Sequence, residues 1–380
     1  MKYRKFGKLG ITGSAFGLGC MRFNGEASGD CNCDEGKAIQ LIRRAIDGGV
    51  TYLDTAYVYL GKTSEIAVGK ALQDGYREKV TIATKMPLEA VHNQDEMEAL
   101  LNEELGKLQT DHIDFYLMHG INRDKWDKFK AIGAREFFDR KKAEGKIRFK
   151  CFSFHGPYED FEYIINDYDW DMCQIQYNFM DEENQAGTKG LELAGKKGIP
   201  VVIMEGLLGG RLSKAPENVQ ALYDAFPIKR SAVEWAFRWL CNHPEVATVL
   251  SGCNEEEQID ENLRIFDTVE AGIMSEDELK LMRDVQQAYL DRTKIGCTGC
   301  RYCMPCPGGV AIPAVFSAWN EQSLYAADPK TNWGFNEFVI KQNATPEKCL
   351  KCGKCEKACP QHLNIMENLQ TAWSEMGYGK

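Results

Sequence analysis

Four side chains carry a coherent proton-transfer chemistry: an acid at Asp54, a phenol at Tyr59, an amine at Lys85 and an imidazole at His119. A phenol is a poor acid at neutral pH, with an ordinary pKa of about 10. A nearby ammonium favours the phenolate and so eases proton donation. Lys85 can be that ammonium, and Asp54 can hold it charged and in place. His119 can bind a carbonyl oxygen or help pass the proton. Tyr59 is then the general acid when a carbonyl is reduced, and the base in reverse. Taken alone, an Asp and a Tyr near a strand end are commonplace. The partners give the pair its meaning.

A second chemistry lies in the thiols. Of the 15 cysteines, eight fall in two tight groups: Cys297, Cys300, Cys303 and Cys306, then Cys349, Cys352, Cys355 and Cys359. The second group reads C-x2-C-x2-C-x3-C and is followed by Pro360. That is the spacing of two-cluster ferredoxins, in which three close thiolates hold one 4Fe–4S cube and the fourth serves the other cube. The first group departs, with two residues rather than three before Cys306, yet Pro307 still follows. Four thiolates also suit zinc, although zinc sites favour separated ligand pairs. The remaining cysteines (Cys20, Cys31, Cys33, Cys151, Cys173, Cys241 and Cys253) are scattered. A disulfide framework would spread them differently and would need an oxidising location. Cys31 and Cys33 sit in the loop after the first strand, where a redox role competes with that of a plain surface loop.

The elements that position these groups alternate regularly. After a hairpin over 1–14, apolar runs at 15–21, 51–54, 80–84, 113–118, 147–152, 172–176, 201–204 and 247–250 read as strands. Helical spacing follows each one, over 34–47, 64–72, 94–108, 125–143, 158–165, 185–197, 231–241 and 255–266. The strands are short and apolar throughout, as strands buried on both faces of a parallel sheet are. The fold class is α/β, and eight such units favour a closed (β/α)8 TIM barrel over an open sheet. In such a barrel the chemistry sits at the C-terminal ends of the strands, where all four residues fall. A closing helix over 275–290 should pack on the barrel. The expected domains are 1–290, the barrel, and 291–380, a small and mostly helical iron–sulfur domain.

Leu53-Asp54-Thr55-Ala56 with Tyr59, Thr84-Lys85 and Leu117-Met118-His119 resemble the aldo/keto reductase family. So do Gly17-Leu18-Gly19-Cys20-Met21-Arg22 at the first strand and Gln258 with Glu261-Asn262 at the last helix. The resemblance covers roughly 1–290 and places the family's tetrad on Asp54, Tyr59, Lys85 and His119. It implies a carbonyl substrate and NAD(H) or NADP(H). Cys20, Met21 and Arg22 would flank the cofactor, and Ser153 and Gln174 would hold the nicotinamide amide. Phe154 stands where many members have Asn. The loop Glu205, Gly206, Leu207, Leu208, Gly209, Gly210 and Arg211 would wrap the pyrophosphate. Ser251, Gly252, Asn254, Gln258 and Asn262 would meet the adenosine end. There the basic residues that clamp a 2′-phosphate are replaced by Gly252 and Gln258, with Glu255, Glu256 and Glu257 nearby. Carboxylates repel a phosphate and accept from ribose hydroxyls, so NADH should serve at least as well as NADPH. The same acids also suit a solvated helix N-terminus.

The ferredoxin resemblance implies that Cys297, Cys300, Cys303 and Cys359 hold one 4Fe–4S cluster. Cys349, Cys352, Cys355 and Cys306 would hold the other. His155 could line the catalytic face, and His362 could tune a cluster by hydrogen bonding.

The net charge of −10 argues against nucleic acid and anionic lipid as partners. No apolar run approaches membrane-spanning length, and no signal-peptide core follows Met1, so the expected location is cytoplasmic. Three functions compete. One is an NAD(P)H-dependent carbonyl reductase whose clusters are structural or belong to a separate electron path. Another is an electron-transfer oxidoreductase with a flavin in the barrel or a redox partner protein docked to it, although no flavin motif is present. The third is a nucleotide- or redox-sensing module, which would have no need of a proton donor.

Overall fold

The computed structural model describes residues 1–23 and 34–378. Cys31 and Cys33 lie outside the described residues. The chain divides into two compact units. The first comprises Met1–Gly209 with Val233–Glu276, and the second Gly210–Ala232 with the chain from Asp277 onward.

The first unit opens on an antiparallel hairpin, β1 (Tyr3–Lys5) and β2 (Thr12–Ser14). Eight parallel strands then close a barrel: β3 (Phe16–Gly19), β4 (Tyr52–Asp54), β5 (Thr81–Met86), β6 (Ile113–Ile121), β7 (Ile147–Phe154), β8 (Met172–Gln176), β9 (Val201–Met204) and β10 (Val246–Gly252). β10 pairs back onto β3, so no edge is left open. Phe6, between the hairpin strands, stacks 5.8 Å from Tyr52 and 5.5 Å from Phe115. Those two residues, with Met172 and Val202, line the N-terminal end of the barrel. The hairpin therefore closes the end opposite to the chemistry.

Between strands run α1 (Glu35–Asp47), α2 (Ser64–Ala71), α3 (Gln94–Leu108), α4 (Arg123–Ala131), α5 (Ala134–Ala143), α6 (Tyr158–Asp167) and α7 (Gly187–Lys196). α1 shows how the sequence builds them. Asp34 caps its first turn by accepting from Lys37 N–H, and Ala38, Leu41, Ile42, Ala45 and Ile46 form the buried stripe.

The helix expected over 125–143 is two helices. Gly133 breaks it with φ of 80°, and the Gln94 amide donates to the Gly133 carbonyl. The positive φ at Gly133 favours glycine, since an L side chain there would be strained even if the Gln94 amide moved aside. The long connection after β9 also holds a helix that the sequence pattern does not announce, α8 (Glu217–Ala225), entered through Pro216. The barrel unit is completed by α9 (Ala232–Asn242) and α10 (Glu256–Phe266).

In the second unit, α11 (Glu276–Leu290) groups with α8 and the cysteine-rich tail. Asn218 donates to the Ala288 carbonyl and accepts from Arg292, and Arg230 pairs with Glu278 at 2.5 Å. The tail contains α12 (Ile312–Tyr325), α13 (Trp333–Phe335), α14 (Lys354–Ala358) and α15 (Ile365–Glu375). Val315, Phe316 and Trp319 of α12 share a core with Leu369, Ala372 and Trp373 of α15. Among the described residues this unit has no strand, which matches the helical expectation. No helix among the described residues is long and apolar enough to cross a membrane.

Candidate active site and cluster-binding thiols

β4, β5 and β6 lie side by side, with Asp54 level with Ala83 and Lys85 level with Leu117. Their C-terminal ends deliver Asp54, Lys85 and His119. Tyr59 arrives on the loop between β4 and α2. Ser64, the first residue of α2, fastens that loop. Its hydroxyl bonds Thr55 Oγ1 at 2.8 Å and donates to the Cys20 carbonyl at 2.7 Å.

Lys85 Nζ is the centre of the site. It donates to Asp54 Oδ1 at 2.5 Å, to the Thr55 carbonyl at 2.7 Å and to the Tyr59 hydroxyl oxygen at 3.1 Å. An ammonium has three hydrogens, and all three are committed. The Tyr59 oxygen accepts one of them, which leaves its own O–H free to point elsewhere. The His119 ring meets the Tyr59 ring edge-on, 5.9 Å between centroids at 77°. Asp54 and Lys85 are 2% and 1% exposed, so this ion pair works in a low-dielectric setting.

Burial sets the protonation states. Burial alone would lower the Lys85 ammonium, but Asp54 and Tyr59 outweigh it and hold Lys85 above its ordinary value. Burial raises the Asp54 carboxyl, and Lys85 and Gln174 only partly oppose it. For Tyr59 the expected easing by Lys85 is present but outweighed. Burial of the phenol exceeds the pull of the ammonium, and Tyr59 stays above its ordinary value. His119 is pushed down to about 3, first by burial and then by the Lys85 charge. It is therefore a neutral imidazole at every ordinary pH.

A cavity of about 430 Å³ opens beside these groups, lined by Val58, Pro87, His119, Asn122, Lys125 and His155 among others. Lys125 is paired with Glu89 at 2.9 Å across its mouth. His155 is exposed and shares a hydrogen bond with Gln185 Oε1 at 3.1 Å. Lys125, Glu89 and Gln185 were not singled out in the sequence. They come from a helix, a short turn and a loop, and only the closed barrel brings them to one rim.

The residues expected to hold a nicotinamide divide into two kinds. Gln174 donates to Asp54 Oδ2 at 3.3 Å, while its Oε1 is buried without a hydrogen-bond partner. A buried acceptor lacking a donor is costly, and the amide N–H of a nicotinamide carboxamide would satisfy it. The cofactor therefore fits this position. Ser153 instead accepts from Gly120 N–H at 2.8 Å. Phe154 is a core residue, edge-on to Phe161 with centroids 5.2 Å apart. Cys20 is fully buried, whereas Met21 and Arg22 are half-buried, and the Arg22 stem lies against Gly252.

The loop after β9 has an unusual backbone. Glu205, Leu208, Gly209 and Gly210 all have positive φ, at 59°, 49°, 66° and 93°. Non-glycine residues adopt that region at a cost, and such strain concentrates at functional sites. Turns of this kind aim backbone N–H groups at anions. Gly206 serves packing: a Cβ there would meet Leu240 at 2.7 Å. Leu207 lies on the same loop and is half-buried. Arg211 does not extend freely from the loop. Its Nε binds Glu321 of α12 at 2.6 Å, and Asn332 holds the other oxygen of that carboxylate.

At the adenosine-side stretch, Asn262 donates to Ser251 Oγ at 3.0 Å, and Gln258 accepts from Asn254 N–H at 2.9 Å. Glu255 and Glu256 pair with Lys37 and Arg44 of α1, at 2.7 and 3.6 Å. The acids at the start of α10 are thus partly neutralised.

In the second unit, Cys297, Cys300, Cys303 and Cys359 line one cavity together with Ile312 and Phe316. Cys306 is not among the residues that line this cavity. The residues after it press on the second cysteine run: a Cβ at Gly308 would meet the Lys348 carbonyl oxygen at 2.4 Å and Leu350 Cγ at 3.3 Å. One of the two groupings that the ferredoxin resemblance implies is thus brought together around one cavity. Among the described residues, no three side chains converge closely enough to hold a single ion. His362 is exposed, and its backbone N–H closes a turn onto the Cys359 carbonyl.

The aldo/keto reductase family model matches residues 15–283. The chain belongs to the aldo/keto reductase family. A 4Fe-4S dicluster domain model matches residues 296–365. An uncharacterized oxidoreductase, YqkF, of Bacillus subtilis is 28% identical over 319 residues, covering 74% of this chain and 96% of that protein. The aldo-keto reductase YhdN of the same organism is 35% identical over 159 residues, covering 36% of this chain and 47% of that protein. Among solved structures, the aldo-keto reductase AKR11C1 from Bacillus halodurans in its holo form superposes with a TM-score of 0.63 at 26% identity, covering 75% of this chain and 96% of that one. A Klebsiella pneumoniae aldo-keto reductase in complex with NADPH shares the fold, with a TM-score of 0.60 at 23% identity, covering 75% of this chain and 95% of that one.

An aldo/keto reductase with a neutral His119 has a testable pH signature. The fold holds His119 deprotonated, so between about pH 3 and pH 6.5 the unfolded chain binds more protons at this residue than the folded one. Stability is fully present above pH 6.5 and declines as pH falls through that window. Carbonyl reduction measured from pH 5.5 to 7.5 should show no ionisation step near 6.5. A sigmoid in kcat/KM at that pH, abolished by His119→Gln, would mean the imidazole titrates in the working enzyme.

Proposed function

We propose that this protein reduces a small-molecule carbonyl with NAD(P)H, with Tyr59 as proton donor, and carries two 4Fe–4S clusters on its cysteine-rich unit. The observation that carries the reading is the fully committed Lys85 ammonium, which leaves the Tyr59 O–H as the free donor of the site. The nicotinamide, when bound, supplies a hydride. Tyr59 gives its proton to the carbonyl oxygen, and Lys85 stabilises the phenolate left behind. Asp54 keeps Lys85 charged and fixed. His119, neutral, offers a ring nitrogen to the carbonyl oxygen and sets its direction. Gln174 Oε1 receives the carboxamide N–H, and the positive-φ run after β9 holds the pyrophosphate.

NADH serves at least as well as NADPH in this reading. Gly252 has no side chain to clamp a 2′-phosphate, and Gln258, whose Oε1 accepts from Asn254 N–H, carries no positive charge. On the second unit, Cys297, Cys300, Cys303 and Cys359 hold one cluster, and Cys349, Cys352, Cys355 and Cys306 hold the other. Clusters move electrons singly, and a nicotinamide moves two as hydride, so the two do not couple directly. A reading in which a flavin or a flavoprotein joins them rests on the presence of both cysteine runs.

One anaerobic experiment separates these. The visible spectrum is recorded, released flavin is assayed, and NADH and NADPH are added with and without a panel of aldehydes and ketones. Oxidation of the nucleotide only when a carbonyl is present, with the broad iron–sulfur band unchanged, is the expected result. Bleaching of that band by NADH alone would show a path from nicotinamide to cluster and replace this reading with the electron-transfer one. A large kcat/KM preference for NADPH at physiological salt would sink the assignment of NADH.

A further inference from the structure

The second cysteine run is surrounded by charge of one sign. Lys348, Lys351, Lys354 and Lys357 are interleaved with Cys349, Cys352 and Cys355, and all four lysines are exposed. Among the described residues, none of the four has a carboxylate within ion-pair distance. The two acids of the stretch offset little of this. Glu356 is half-buried and spends an oxygen on Met366 N–H at 2.9 Å, and Glu347 faces Thr345. This local excess of positive charge stands in a chain whose net charge is −10. At its middle is Leu350, 64% exposed, beside Cys352, which is itself at the surface. An exposed leucine ringed by unpaired lysines has the anatomy of a small docking face, apolar at the centre and charged at the rim. A cluster held by Cys352 lies within reach of whatever docks.

We propose that Leu350 with Lys348, Lys351, Lys354 and Lys357 forms the docking face for an acidic one-electron carrier protein of the ferredoxin type, which exchanges single electrons with the cluster held by Cys349, Cys352, Cys355 and Cys306. The step balances as one electron. The reduced carrier is oxidised by one unit, and the cluster is reduced by one, with no proton moved. Unpaired lysines attract an acidic surface and speed encounter, and the small apolar centre limits the contact to a transient one. The inference rests on the clusters being present and not on the barrel's reaction, so iron content measured on every sample separates failure of the one from failure of the other.

The probe is a plant-type 2Fe–2S ferredoxin of acidic pI, reduced with dithionite, desalted, and mixed anaerobically with the full iron-loaded chain in a stopped-flow spectrometer. The second-order rate of electron transfer should fall at least tenfold between about 20 mM and 500 mM salt, as screening shortens the reach of surface charge. The combined Lys348→Glu, Lys351→Glu, Lys354→Glu and Lys357→Glu variant should be at least tenfold slower at low salt and lose most of the salt dependence. Leu350→Ser should slow transfer while keeping the salt slope. Reversal of two exposed barrel lysines, Lys146→Glu with Lys197→Glu, should change neither. If charge reversal lowers iron content, the four Lys→Gln changes are read in its place and should give a smaller slowing of the same kind. Rates insensitive to salt and to these lysines would overturn the proposal. So would faster exchange with a basic c-type cytochrome than with the acidic ferredoxin. Displacement of the ferredoxin by equimolar duplex DNA would overturn it too, by assigning the face to nucleic acid.

Discussion

Replacing Tyr59 by phenylalanine should lower kcat for carbonyl reduction by about two to four orders of magnitude, the usual contribution of a positioned general acid. Nucleotide affinity should stay within a few-fold of the wild type. The geometry makes this a clean substitution. Among the described residues the phenol oxygen has one protein partner, Lys85 Nζ at 3.1 Å, and the ring keeps its edge-on packing against His119. Removing the oxygen costs Lys85 one of three acceptors and leaves Asp54 and the Thr55 carbonyl in place. Stability should therefore fall by only about 1 kcal/mol, the worth of an ordinary hydrogen bond. Single-turnover kinetics with bound NADH would read the chemical step directly. An unchanged rate would remove Tyr59 from the reaction, and a lost rate with unchanged nucleotide affinity would place it there. The iron–sulfur band should be indifferent to the change.

Lys85→Met should be the most destabilising single change in the barrel, by about 3–5 kcal/mol, because it strands a carboxylate among buried groups. Asp54 is 2% exposed, and its remaining partner would be the Gln174 amide at 3.3 Å. The pH dependence identifies the cause. Burial already raises the Asp54 carboxyl, and loss of Lys85 raises it further. A group whose pKa is higher in the folded state contributes stability below its unfolded pKa and loses it as pH rises through the folded one. Urea midpoints for Lys85→Met should thus lie closest to the wild type near pH 4 and fall away toward pH 8. Adding Asp54→Asn should recover much of the loss. If Lys85→Met unfolds equally easily at both pH values, the stranded carboxylate is not the reason. Activity should be lost in either background, since nothing then stabilises the Tyr59 phenolate.

The barrel was legible because its strands are short apolar runs between turn residues. β8 (Met172–Gln176), β9 (Val201–Met204) and α3 (Gln94–Leu108) fall where the pattern puts them, the last with Asn93 as its cap. The break at Gly133 was not legible. A lone glycine is tolerated inside a helical pattern, and its positive φ here goes with a Gln94 amide 39 residues earlier in the chain. The same limit governs the site. Residue types and spacing gathered the four tetrad side chains, since each sits at or just after the C-terminal end of a strand. They could not say that burial would exceed the pull of Lys85 on Tyr59, because burial is a sum over the whole barrel. Nor could they find that Gln174 would bind Asp54 across 120 positions, or that Glu321 would occupy Arg211 across 110. Polar contacts between distant residues leave no local periodicity to read.

The proposed exchange of last thiols between the two cysteine runs would constrain how the tail is put together. Cys359 shares its cavity with Cys297, Cys300 and Cys303, while the stretch after Cys306 leans on Lys348 and Leu350. In the crossed ligation proposed above, neither run furnishes all four ligands of its own cluster. A chain emerging from the ribosome can offer only three thiolates to a first cube until some 50 further residues have been made and folded back. Insertion of iron is thereby tied to completion of α12 and α15. A half-loaded tail would expose an iron with an open coordination position, the form most vulnerable to oxygen. Occupancy of the two centres should consequently rise together during maturation, with few molecules holding one alone.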